Sequence, residues 1–169
     1  MSKTGIFYSF HTNKTKKASE KIVEAFGKEN LVVINAEEVN EKNFLQFDNY
    51  IIGVATWWDG ELPNYWDEFV PAIEDMDLSG KKFAIYGLGD QKLYPENFND
   101  GLGIFAELIE SRGGELIGFT SRDGYEYEKS RAERGDNQFY GLCLDQENQA
   151  RLTKKRIENW VEDLKKIFI

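Results

Sequence analysis

"TGIFYSFHTNKTKKASEKIVEAFG", residues 4–27, changes character twice along its length. Thr4–Ser9 is a short apolar run rich in aromatic and branched residues, the composition of a buried strand. From Thr12 the spacing alters: Thr15, Ala18, Ile22 and Phe26 fall at three- and four-residue intervals, the buried stripe of a helix, and Gly27 is placed to end it. Between strand and helix lies Ser9–Thr15, rich in hydroxyls. Backbone N–H groups at a helix N-terminus, with the helix dipole behind them, favour an anion. No Gly-led run ends there in Gly-Lys-Ser/Thr, so the loop is not of the Walker type.

The same alternation continues down the chain. "LVVIN" (31–35) and "YIIGVA" (50–55) read as the second and third strands, and Leu62–Ile73 as a helix with Pro63 in its first turn. "KFAIYGL" (82–88) is a fourth strand. Phe98, Leu102, Phe105 and Ile109 form a second helical stripe closed by Gly113 and Gly114. "ELIGF" (115–119) begins a fifth strand, and "FYGLCL" (139–144) reads as strand again after an irregular, charged stretch. Leu152, Ile157, Trp160, Val161, Leu164 and Ile167 share one face of a final helix. Strands apolar throughout, alternating with helices, imply a parallel sheet covered on both sides: a doubly wound α/β fold, whose ligands bind beyond the carboxyl ends of the strands.

The bulk numbers agree with one such domain. The chain has 169 residues, 41% of them hydrophobic, and no Pro-, Gly- or Ser-rich linker. A formal net charge of −9 repels nucleic acid and anionic lipid and suits docking onto basic protein surfaces. The single cysteine, Cys143, excludes an internal disulfide or a multi-cysteine metal cluster. No stretch is long and apolar enough for a secretory signal or a membrane span, so a cytoplasmic protein is expected.

Three loops should meet at the ligand-binding edge. The first is Ser9–Thr15. The second, "TWWDGELP" (56–63), carries two adjacent Trp, which are hard to bury together because successive side chains diverge. The third, "GLGDQKLY" (87–94), has Gly87 and Gly89 to permit close backbone approach, Asp90 as an acceptor, and Tyr94 as a second aromatic face. Taken singly, each has an ordinary structural use: a helix cap, an aromatic edge to the core, a glycine turn. Together they suggest a planar ligand with a phosphate tail.

At this level of detail the sequence resembles the long-chain flavodoxins over essentially its whole length. The resemblance rests on "TWWDGELP", on "GLGDQKLY" followed by Asn97-Phe98, and on "DGYEYEKSRAERGDNQFYGLCLDQENQARLTKKRI" (123–157). It implies one domain over residues 1–169. Its five-stranded parallel sheet would have the order 2-1-3-4-5, with a fifth strand split by an inserted loop near 120–138. It implies non-covalently bound flavin mononucleotide (FMN) and a low-potential one-electron carrier working between semiquinone and hydroquinone, not an enzyme. Thr12 and Thr15 match hydroxyl positions that bind the phosphate, and Trp57 and Tyr94 the aromatics on the two ring faces. Asp90 matches the position at the pyrimidine edge, the Trp58–Asp59 peptide the backbone segment at flavin N5, and Asp145 a position near the ribityl chain. The cofactor set implied also takes in Ser9, Phe10, His11, Asn13, Lys14, Thr56, Gly60, Leu88 and Gly89. Implied partners are redox proteins with basic docking surfaces, such as ferredoxin–NADP reductase, photosystem I, nitrogenase reductase or a 2-oxoacid oxidoreductase. A monomer is expected.

The chain departs from the family pattern in its first loop. Phe10 stands where a hydroxyl residue is usual and Asn13 where Gly is usual. Asn is the residue that best tolerates positive φ, and Lys14 adds a cation to set against the lost donor. Neither Trp58 nor Asp59 is Gly, so a left-handed backbone there is expected to be costly. Two other readings stay open: a flavin-dependent NAD(P)H:quinone reductase, and an FMN-free interaction domain of the same fold. A phosphoacceptor domain is disfavoured, because Ser9-Phe10 and Thr56-Trp57 stand where it needs acidic residues.

Overall fold

Parity along the strands decides which residues face which side of the sheet. In β1 (Thr4–Tyr8), Ile6 and Tyr8 turn to one face and Phe7 to the other. β3 (Asn49–Gly53) divides Ile51 from Tyr50 and Ile52, and β4 (Lys82–Leu88) divides Ala84 and Tyr86 from Phe83 and Ile85. The computed structural model describes residues 2–168. With β2 (Val32–Asn35) and β5 (Glu115–Ile117), these strands make a parallel sheet of order β2-β1-β3-β4-β5.

Two cores result. On one face α1 (Asn13–Phe26) and α6 (Ala150–Ile167) lay Ala18, Ile22, Phe26, Ile157, Trp160, Val161 and Leu164 against the sheet. On the other, α2 (Glu41–Leu45), α3 (Asn64–Asp67), α4 (Val70–Glu74) and α5 (Asp100–Ser111) cover an aromatic core in which Tyr50 stacks on Phe83 at 4.3 Å. Leu62–Ile73, read from sequence as one helix, is two. Pro71 lacks an N–H and its ring would meet the carbonyl four residues back, so the chain breaks after Asp67 and restarts at Val70.

The fifth strand is divided along its length. β4 pairs through Lys82–Ala84 with β5, and through Tyr86–Leu88 with β9 (Leu142–Leu144). Between them the chain forms a small antiparallel sheet of β6 (Thr120–Ser121), β7 (Glu133–Gly135) and β8 (Gln138–Phe139), in the order β6-β8-β7. This segment is packed in rather than loose. Tyr127 stacks on Phe98 at 5.2 Å, and Tyr125 meets Phe139 edge-on at 5.0 Å. Its arginines are engaged: Arg122 with Glu133 and the Tyr127 hydroxyl, Arg131 with Glu107 of α5, and Arg134 over the Phe119 ring. No helix among the described residues is long and apolar enough to cross a membrane.

Cys143 lies in β9 with no exposed surface, and burial pushes its thiol well above the ordinary range despite the nearby Arg156. The expected outcome is that a water-soluble disulfide reagent titrates no thiol in the folded protein and one in denaturant. A fast-reacting native thiol would contradict this packing.

Candidate functional site

The second and third loops meet beyond the carboxyl ends of β3 and β4, and the first reaches the same cleft only through Lys14; Ser9, Phe10, His11, Thr12, Asn13 and Thr15 line neither of its two stretches. A cleft of about 560 Å³ is walled by Thr56, Trp57, Trp58 and Asp59 on one side and by Leu88, Gly89, Asp90 and Tyr94 on the other. All of these were expected from the sequence; Asn97, which also lines it, was not. A second stretch of about 450 Å³ shares Thr56, Leu88, Gly89, Asp90 and Tyr94 and runs on to Lys14, Gln146 and Glu147. The cleft therefore leads from a pair of aromatic side chains to the N-terminus of α1.

At that N-terminus, Thr12 precedes the helix, and its hydroxyl turns back to the Ser9 carbonyl at 3.4 Å instead of capping the first turn. No acidic residue lies in that turn, which leaves the dipole unopposed. Ser9 is fully buried and its Oγ accepts from the His11 N–H at 3.2 Å, while Phe10 packs on Tyr8 at 5.2 Å. His11 pairs through Nδ1 with the Glu37 carboxylate, and Lys14 pairs with Glu147. Asn13 is the first residue of α1 and is not among the residues with positive φ, so the tolerance for that conformation ascribed to it is not used. Thr15 is buried on the inner side of the helix.

The second loop is a tight reversal. Trp57 and Glu61 exchange two backbone hydrogen bonds of 2.8 and 2.7 Å, which close a three-residue turn over Trp58, Asp59 and Gly60. The costly backbone conformation falls on Trp58, with φ of 53°, and not on Asp59. Trp58 is 73% exposed, whereas Trp57 is half-buried and edge-on to Tyr65 at 5.9 Å. Gly60 has φ of 82°, and a Cβ there would come within 2.5 Å of Asp100 Oδ2. No other residue fits.

Asp100 itself was missed in the sequence. Oδ2 accepts from Asn97 Nδ2 at 3.2 Å, Oδ1 accepts from the Arg131 N–H at 2.8 Å, and the neighbouring Gly101 N–H donates to Thr56 Oγ1 at 2.9 Å. One carboxylate thus ties the inserted segment to the start of α5 and backs the Trp58–Gly60 turn.

In the third loop, Asp90 Oδ1 accepts from the N–H groups of Lys92 and Leu93 and from Asn148 Nδ2. Burial alone would raise this carboxyl. Those three bonds, with the Lys14 charge beyond, bring it below its ordinary value, so it is an anion at the cleft wall. Tyr94 is 55% exposed. Gly87 does not serve the cleft: a Cβ there would lie 2.4 Å from Asn99 Oδ1, because the buried Asn99 side chain fills the space beneath the strand. Asp145 lines neither stretch. It is fully buried and accepts from Gln91 N and Nε2 and from Asn148 N and Nδ2, bracing the third loop against the start of α6. Asp145 and Asn148 give no sequence signal for this role, since their partners are distant in the chain.

Aromatic walls, an anionic edge and a helix N-terminus at the crevice of an open α/β sheet define a mononucleotide-binding protein of the doubly wound class. The flavodoxin family model matches residues 6–160. The flavodoxin of Trichodesmium erythraeum is 43% identical over 170 residues and that of Picosynechococcus sp. 40% over 169, each alignment covering 99% of both chains. A crystal structure of Fusobacterium nucleatum flavodoxin bound to flavin mononucleotide superposes with a TM-score of 0.93 at 34% identity, covering 100% of both chains. The chain belongs to the flavodoxins, electron-transfer proteins whose cofactor is FMN.

Two outcomes follow from this geometry. Asp100→Ala leaves the Arg131 N–H and the Asn97 amide short of an acceptor, and unfolding in urea should show a loss of about 1–3 kcal/mol. Tyr94→Ala removes an exposed ring, so the fold should survive while FMN affinity, read by quenching of flavin fluorescence, falls on the order of tenfold.

Proposed function

We propose that FMN lies along the continuous cleft, with its phosphate at Ser9–Thr15 and its ring between Trp57 and Tyr94, and that the protein passes single electrons between redox proteins. The observation that carries this reading is the run of the cleft from the two aromatic side chains to the N-terminus of α1. FMN, when bound, supplies the one-electron chemistry. Everything else belongs to the chain. Trp57 and Tyr94 keep water off the ring faces. The first-turn N–H groups of α1, Thr12 Oγ1 and Lys14 receive the phosphate, and Lys14 exchanges Glu147 for it. Thr56, Gly60, Leu88 and Gly89 set the distance between the walls, and the Trp58–Asp59 peptide lies along the ring's central edge. Phe10, His11 and Asn13 shape the loop from outside.

Asp59, Glu61 and Asp90, within a net charge of −9, oppose added negative charge in the cleft and so hold the reduction potential low. The same charge favours partners with basic docking surfaces. A reductase, a photosystem or a 2-oxoacid oxidoreductase all fit that description. We infer a cytoplasmic, monomeric carrier working as one domain.

The test is a visible spectrum of the purified protein followed by stepwise reduction without oxygen. Flavin absorption and separate one-electron steps are expected, with no oxidation of NADPH unless a reductase is added. A colourless protein that fails to take up added FMN overturns the reading, and unaided turnover of NADPH with a quinone replaces it with the reductase.

A further inference from the structure

By its side chains, the end of the cleft nearest α1 is acidic. Three charged residues line the stretch that runs there from Tyr94: Lys14, Asp90 and Glu147, one cation against two carboxylates. Asp90 is committed to the third loop through the N–H groups of Lys92 and Leu93 and to Asn148. Lys14, the one residue of the first loop to reach the cleft, is paired with Glu147. An incoming anion therefore meets a wall whose only cation is already answered.

Both partners stand on fixed backbone. Lys14 lies in the first turn of α1, closed by the Lys16 N–H on the Thr12 carbonyl at 2.8 Å. Glu147 lies in the turn between β9 and α6, and the residues around it are tied down. Asp145 Oδ1 accepts from the Asn148 N–H at 3.0 Å, the Asp145 carbonyl from the Gln149 N–H at 2.9 Å, and Gln146 Oε1 from Thr153 Oγ1 at 2.9 Å. Among the described residues, Glu147 has no other hydrogen bond or ion pair than the one to Lys14. The two side chains are 60% and 42% exposed, so the pair is wet and opens at small cost.

We propose that Glu147 is a built-in competitor for the FMN phosphate: its carboxylate occupies Lys14 as a stand-in anion, gives way when the phosphate arrives, and so limits how strongly the protein prefers FMN to a flavin without phosphate. This rests on the placement of the phosphate at Ser9–Thr15. A carboxylate carries one negative charge and a phosphate monoester about 1.5 to 2 near neutrality, so the ligand wins the exchange. Riboflavin brings no anion and leaves the pair closed. Glu147 thus acts on specificity through Lys14 and not through the ring.

The test is dilution of flavin-loaded protein, with release read by recovery of flavin fluorescence. Glu147→Gln keeps the shape and removes the charge. It should hold FMN about two- to fivefold more tightly, the worth of an exposed ion pair, and riboflavin no differently. Lys14→Gln should loosen FMN and leave riboflavin unchanged. In the Lys14→Gln background, adding Glu147→Gln should recover little, because the competitor has lost its target. An unmoved FMN affinity in Glu147→Gln, an equal change toward FMN and riboflavin, or the same gain without Lys14 would each overturn the proposal; the second outcome would make the pair a structural tie, the third a through-space repulsion. Wild-type protein that releases FMN and riboflavin equally would instead remove the phosphate from Ser9–Thr15, a separate failure of the underlying reading.

Discussion

Strand β4 must be hydrogen-bonded along its whole length, and nearly every feature of the cleft depends on how that is done. Seven residues long, it takes β5 beside its first half and β9 beside its second. An unpaired stretch of buried strand would forfeit several backbone bonds. The chain therefore has to return to the sheet after leaving it, and it returns just where the third loop begins. The Gly89 N–H donates to the Leu144 carbonyl at 2.9 Å, and Asp145, the next residue, holds Gln91 and Asn148. The position of Asp90 and Tyr94 is thus set by β9, which is set by the segment that delivers it.

The alternation of strands and helices was legible because it is a matter of spacing. Buried stripes at three and four residues, and apolar runs of five to seven, survive any detail of packing. Element ends were less legible, and for local reasons: Pro71 divides a helix whose apolar spacing gives no warning, and Asn40 and Asn43 cap a short helix by reciprocal bonds that only the folded backbone reveals. The three cleft loops could be named in advance because the fold class dictates which ends of which strands they follow.

What lay beneath those loops could not be named. Asp100 has no periodicity of its own and is interpretable only through residues far along the chain: Arg131, whose N–H it accepts, and Thr56, whose hydroxyl takes the N–H of the neighbouring Gly101. Glycines misled in the same manner. Gly87 looks like a place for a ligand to approach, yet its neighbour is the side chain of Asn99. Asn13 looks like a substitute for a left-handed glycine, yet it is plainly helical, while the left-handed residue of the site is Trp58. Conformational preference tells what a residue tolerates and not what the fold asks of it.

The Asp100 carboxylate has a consequence for how the molecule comes apart. It accepts from the inserted segment with one oxygen and from the cleft's own Asn97 with the other, while Ser130 Oγ and the Phe98 N–H add two further links between the same elements. Local opening in proteins proceeds by cooperative units rather than residue by residue. Here the insertion, the start of α5 and the turn carrying Trp58 belong to a single such unit, although they come from three distant parts of the chain. A segment that in sequence reads as an irregular, charged insertion is thermodynamically tied to the cleft wall, and the two are expected to fray together.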